Sequence, residues 1–200
     1  MVQRIVIFAL LGSLILTGCL TRKPETTRHY ILEYPAGYET VPVSKIADRS
    51  CLIMPAEVYP AFATHQIALR ESSNEIRYFA LNVWAVRPEQ SITNMVTEFL
   101  LKHNVFQSVY APAIIRETDF SLKTTVYRLE VIAENRDYFA NLEVEFMLIN
   151  NLDGQITDVH RASRKVELED RDLNLYAAAI SRMLIEELSV FTKSFTEILN

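Results

Sequence analysis

Cysteine is scarce in this chain, with only Cys19 and Cys51 among 200 residues. Cys19 closes a modification motif near the N-terminus, which leaves Cys51 without an intramolecular partner and excludes a fold stapled by disulfides. Cys51 opens the apolar segment Cys51, Leu52, Ile53, Met54 and has no histidine near it in sequence. It therefore reads as a small core residue and not as a catalytic thiol.

Glycine is also sparse. Of four glycines, Gly12 and Gly18 belong to the N-terminal segment, so only Gly37 and Gly154 remain beyond it. A phosphate-cradling loop needs several glycines so that backbone amides can approach the anion, and neither standard nucleotide loop is present. Basic charge is short as well. The formal net charge is −5, and losing Arg4 with the N-terminal segment brings it to −6. Nucleic acids are held by clustered Lys and Arg that release counterions, and no long basic run occurs here. The four histidines, His29, His65, His103 and His160, have no metal-ligand spacing. No serine sits in the glycine-flanked turn that exposes a hydrolase nucleophile. The acid pairs have ordinary explanations: Glu143 and Glu145 would share the wet face of a strand, and Glu186 and Glu187 the solvent side of a helix. No cofactor, no metal, no nucleotide, no nucleic acid and no enzymatic activity are expected.

What the chain does have is a distinctive beginning. Arg4 is followed by the apolar stretch Ile5 to Ile15 and then by Leu16, Thr17, Gly18 and Cys19. That stretch is well short of the roughly 20 residues a membrane-spanning helix needs, so it has the layout of a signal peptide. Small residues let a processing peptidase reach the backbone, and the thiol of Cys19 is the nucleophile that can receive a diacylglycerol group. Residues 1–18 are expected to be removed and Cys19 to be lipidated. Burial at about 0.8 kcal/mol per methylene makes two acyl chains enough for stable anchoring. Leu20 stands where an aspartate would favour the inner membrane, so the outer membrane is the expected address, with the protein facing the periplasm. Thr21 to Arg28 is polar, contains Pro24 and has no apolar period, so residues 19–28 read as acylated cysteine and tether. At about 3.3 Å per residue the tether could lift a domain roughly 25 Å off the bilayer. Residues 29–200 are long enough for one domain with a full hydrophobic core.

The periodicity of that part is mixed. Tyr30, Leu32 and Tyr34 alternate with other residues, and Leu52 to Met54 ends at Pro55; both read as short strands. Gln66 to Arg70 and Glu75 to Leu81 flank Glu71, Ser72, Ser73 and Asn74, a polar cluster suited to a hairpin turn. Ile92, Met95, Val96, Phe99 and Leu100 then fall at helical spacing, with Pro88 and Ser91 suited to approach and cap and a stop near Asn104. Extended runs come next at 120–134, 139–149 and 156–168 and read as an antiparallel meander. A final stripe of Leu173, Tyr176, Ala177, Ile180, Leu184, Leu188, Phe191 and Phe195 predicts a helix over 172–199. The fold class expected is α+β, a mainly antiparallel sheet with two principal helices packed on it.

The segment Ile76 to Pro88 holds the only tryptophan and two arginines at a strand-to-helix junction. Arg77, Tyr78, Trp84 and Arg87 suit a partner-binding corner, since aromatics with arginine commonly anchor interfaces. The plainer reading, in which Trp84 closes one end of the core and Arg87 covers it, is somewhat favoured by the residues alone.

The same residues carry a family resemblance. Tyr30, Ile31, Leu32; Ala68, Leu69, Arg70; Ile76, Arg77, Tyr78; and Asn82 through Pro88 resemble the pattern of the ABC-type transport auxiliary lipoproteins. Phe106, Val109, Asp119, Leu122, Val126, Leu129 and Glu130 extend it, although Val86 and Arg87 stand where that family commonly has acidic residues or proline. The resemblance implies a non-catalytic lipoprotein of a lipid transport system of the mammalian-cell-entry type. Such a protein sits on the outer membrane through its acyl chains and docks a periplasmic substrate-binding protein, through it meeting an inner-membrane ABC transporter. A scaffold or assembly lipoprotein of another envelope machine, for secretion or lipopolysaccharide export, is the alternative. A lipid carrier is a third reading and requires an apolar cavity.

Overall fold

The computed structural model describes residues 26–37, 46–111 and 117–199. The signal segment, Cys19 and the tether as far as residue 25 lie outside the described residues. Three long alternating segments form the meander that the sequence predicts: β7 (Phe120–Glu134), β8 (Asp137–Asn150) and β9 (Ile156–Glu167). They pair antiparallel in sequence order, β7 with β8 and β8 with β9. The β7–β8 turn is two residues long, and Asn135 takes the left-handed conformation there with φ 57°. Asparagine tolerates that region better than most residues.

The other edge of β7 is used three times over. The short strands β2 (Ile46–Ile53), β3 (Glu57–Val58) and β4 (Gln66–Ser72) lie along it one after another, each parallel to it. Beyond β4 comes its hairpin partner β5 (Glu75–Trp84), then β1 (Arg28–Tyr30); beyond β2 comes β6 (Phe106–Tyr110). The long ladders are antiparallel and the short additions mainly parallel, so the sheet is antiparallel on the β8 side of β7 and mixed on the other side. The α+β class expected from the sequence holds.

Two helices cover one face. α1 (Pro88–Lys102) starts four residues earlier than its apolar stripe. Ser91 does not cap it; proline occupies the first helical position, where its missing N–H costs nothing, and Ser91 is buried in the first turn. At the other end Asn104 has φ 49°. Its N–H donates to Leu101 O and that of Val105 to Leu100 O, a left-handed cap that closes the helix where the sequence places its stop. α2 (Leu173–Leu199) is 27 residues long, roughly 40 Å at 1.5 Å per residue.

The inner face of β8 offers Leu142, Val144, Phe146 and Leu148, all fully buried. α2 meets this row with its predicted stripe. Phe191 stacks on Phe146 at 5.8 Å, Phe195 meets Phe106 at 5.8 Å, and Tyr176 meets Trp84 at 5.8 Å. Full burial of each such side chain is worth about 1.5–3 kcal/mol. Cys51 is also fully buried, and desolvation pushes its thiol far above the usual value, so it packs as a hydrophobe.

One expectation is corrected on α2. Glu187 does not face solvent. It is buried under β9, where His160 Nε2 lies 2.8 Å from it and Arg164 donates to its other oxygen, while Glu186 is half-buried and also receives Arg164. Burial raises the Glu187 carboxyl, but His160 and Arg164 outweigh that and hold it below its usual value. A helix this long lying across an edge strand brings His160 and Arg164, from the same face of β9, over a position that the helical stripe alone marks as outer.

Candidate functional site

The sequence singles out four residues on and after β5, and the structure separates them. Trp84 is 2% exposed and lies in the core, so it offers no surface to a partner. Arg77 stands on the exposed side of β5 and is taken up by Glu71 and Glu75 at 2.9 and 2.8 Å. Tyr78 and Arg87 are exposed in part, and both turn toward a single loop, residues 59–65, between β3 and β4.

That loop is held from three directions. Tyr78 Oη donates to Ala61 O at 3.0 Å, and Arg87 Nη2 donates to Ala63 O at 2.7 Å while also meeting Glu89 at 2.9 Å. The Trp84 N–H donates to His65 O at 2.6 Å, and His65 Nδ1 donates back to Trp84 O at 3.0 Å. Inside the loop, the amides of Phe62 and Ala63 both donate to Tyr59 O, and the Tyr59 amide donates to Val126 O of β7. Phe62 is buried, with its ring 6.4 Å from that of Tyr59, whereas Tyr59 itself is 59% exposed. Tyr78, Trp84 and Arg87 thus clamp a loop whose outward side chain is Tyr59. Sequence reasoning missed Tyr59; a tyrosine followed by proline in a loop carries no periodic signal.

Tyr78 also begins a row of side chains that runs across the outer face of the sheet. Tyr78 stands opposite Ala68 in the β4–β5 ladder, Ala68 beside Glu130 in β4–β7, and Asn141 opposite Glu130 in β7–β8. Ala68, Glu130 and Asn141 are all buried. Glu130 receives Arg70 Nε at 2.9 Å and Asn141 Nδ2 at 3.1 Å, with Arg128 at 3.7 Å. Next to this cluster the outer face carries a chain of ion pairs: Arg128 and Arg161 both bond Glu143, at 3.1 and 2.7 Å, and Arg161 lies 4.4 Å over the Tyr127 ring.

A second polar staple sits at the start of β7. Asp119 accepts from the Ser50 hydroxyl and the Ser50 amide, both at 2.7 Å, and from Arg49 at 3.2 Å. It borders a groove of about 1170 Å³ whose walls include Arg49, Ser50, Glu117, Asp119, Asn150 and Asn151. Ile46, Leu52, Phe120, Leu152 and Leu199 line it as well, so an acyl chain would meet a mixed polar and apolar wall there. The Ser50 hydroxyl, then the Ser50 amide, hold Asp119 below its usual value against the effect of burial, with Arg49 adding to them. Arg161 likewise holds Glu143 down. The unfolded chain binds protons at the ordinary carboxylate values while the folded protein does not. Stability from these groups is therefore fully present above about pH 5 and is lost as pH falls through the depressed values. Melting temperatures recorded from about pH 6 to about pH 2.5 are expected to be flat and then to fall below about pH 4. Ser50→Ala should flatten that fall; an unchanged acid limb would show that the Ser50 hydroxyl contributes nothing to it.

Many of the residues that carry the family resemblance meet one another. Tyr30 Oη donates to Asn82 Oδ1 at 3.1 Å, Arg70 pairs with Glu130, and Trp84 N–H closes the loop on which Tyr78 also acts. The pattern is one of contacts that keep the fold. The sequence matches the family model described as the ABC-type transport auxiliary lipoprotein component over residues 30–189. A crystal structure of a Xanthomonas campestris protein is similar with a TM-score of 0.67 at 15% identity, covering 87% of this chain and 95% of that one. Another, of an uncharacterized protein, has a TM-score of 0.68 at 13% identity, covering 85% and 99%. At such identities these likenesses concern the fold alone. No curated protein is significantly similar in sequence. With a match that takes in nearly all of the described core, the chain belongs to the ABC-type transport auxiliary lipoprotein family.

Proposed function

We propose that this lipoprotein is a docking subunit of a lipid transport system of the mammalian-cell-entry type, anchored in the outer membrane through acyl chains on Cys19. In this reading residues 29–200 form one periplasmic domain that binds a periplasmic substrate-binding component, and through it an inner-membrane ABC transporter. The observation that carries it is the family match over residues 30–189. The lipidation motif ending at Cys19 supports the anchor, and among the described residues no helix is long and apolar enough to cross a membrane. Leu20 supports the outer-membrane address. The contribution to transport is made by binding, since the chain carries no standard nucleotide loop.

Two measurements test this. Cys19→Ser removes the acyl acceptor, so the protein should no longer take up labelled palmitate; undiminished labelling of Cys19→Ser would refute lipid anchoring at this residue. Affinity purification of the acylated protein from native membranes should recover the substrate-binding protein and its ABC transporter. Recovery of secretion or lipopolysaccharide-export components instead would assign the lipoprotein to another envelope machine.

A further inference from the structure

We infer that the loop of residues 59–65 is the surface that docks the periplasmic partner, with the Tyr59 ring as its anchor; this rests on the docking role proposed for the protein. The occupant is a folded protein surface with an apolar pocket for the ring and an acceptor for its hydroxyl. Three observations lead there. The backbone of the loop is pinned at residues 59, 61, 63 and 65 by β7, Tyr78, Arg87 and Trp84, so presenting the ring to a partner costs little additional ordering. Tyr59 is 59% exposed, with its ring held beside Phe62, and no hydrogen bond of its hydroxyl is found among the described residues. The charged groups of the flanking strands and of α1's first turn are matched: Arg87 with Glu89, Lys123 with Glu57, and Arg77 with Glu71 and Glu75. A surface neutralised in this way has nothing to select a phosphate-rich ligand, whereas an exposed, rigid tyrosine with a neutral surround fits the anchor positions of protein interfaces.

Tyr78 and Arg87 are positioning residues in this arrangement. They act on the partner through the loop backbone, and Arg87→Ala should speed hydrogen exchange of the amides at 59–65 as well as weaken binding.

The test compares acylated wild type with Tyr59→Ala, Tyr59→Phe and, as a control at an exposed residue of the β8–β9 turn, Leu152→Ala, each purified from native membranes and scored for the substrate-binding protein and ABC transporter. Tyr59→Ala is expected to reduce their recovery about tenfold or more, Tyr59→Phe to reduce it less, and Leu152→Ala to leave it unchanged, all with wild-type melting temperatures. Full recovery with Tyr59→Ala overturns the loop assignment and leaves the docking role standing. Recovery of neither component by wild type overturns both. Light scattering and liposome flotation of the Cys19→Ser protein, with and without Tyr59→Ala, close the remaining routes. A change in oligomeric state would make the occupant a second copy, and loss of flotation would make it a lipid surface; either result overturns the assignment.

Discussion

Trp84→Ala is expected to cost the fold about 3–5 kcal/mol, as truncation of a large buried aromatic side chain does. The indole is 2% exposed and packs at 5.8 Å on Tyr176 in the first turns of α2, so its removal opens a cavity between the β5 end of the sheet and the helix. For a protein of this size the melting temperature should fall by roughly 6–20 °C. Trp84→Phe should recover a large part of that loss. A melting temperature for Trp84→Ala within a degree of wild type would show that the ring is not part of the core. The result also governs the interpretation of binding data, because a partner lost on mutating Trp84 is lost through the scaffold.

Arg70→Ala should be comparably damaging for a different reason. Glu130 is 0% exposed, and Arg70 is its nearest cation. Removing the arginine leaves a desolvated carboxylate with Asn141 and the more distant Arg128, and breaking a buried pair from one side costs about 3–5 kcal/mol. Urea unfolding should show the midpoint falling with little change in slope. The double change Arg70→Met with Glu130→Gln removes both charges while keeping an acceptor for Asn141, and should be more stable than Arg70→Ala alone. If the double variant is no better than the single one, the damage comes from lost packing and not from the stranded charge.

The parts of this fold that a linear reading finds are those with an unbroken period. The rows Leu142, Val144, Phe146 and Ile180, Leu184, Leu188, Phe191 announce their faces because each buries one side continuously. The reading fails where the period breaks or where burial comes from elsewhere in the chain. A register shift between Val126 and Arg128 moves β7 by one residue, so that Glu130 falls on the outer face and is nonetheless buried, among Arg70, Asn141 and Arg128. The three parallel additions along the edge of β7 are joined by long-range pairing of segments as short as two residues, which have no signature of their own. Of the candidate corner, the cluster of aromatic and arginine residues was visible from composition, but its direction was not. Tyr78 and Arg87 point at a loop that only the folded chain brings beside them, and Trp84 holds that loop through its backbone alone.

The order in which the chain supplies its parts also matters. The inner row of β8 is covered by α2, which is made of the last described residues, 173–199. Phe191 and Phe195, fully buried against Phe146 and Phe106, arrive after every strand of the sheet. In the proposed envelope location, a polypeptide that crosses the inner membrane N-terminus first has no cover for its central meander until α2 has emerged. On that proposal the domain would not mature while the helix is still threaded through a translocation channel, and the anchor proposed at Cys19 would be installed before the body has taken its final shape.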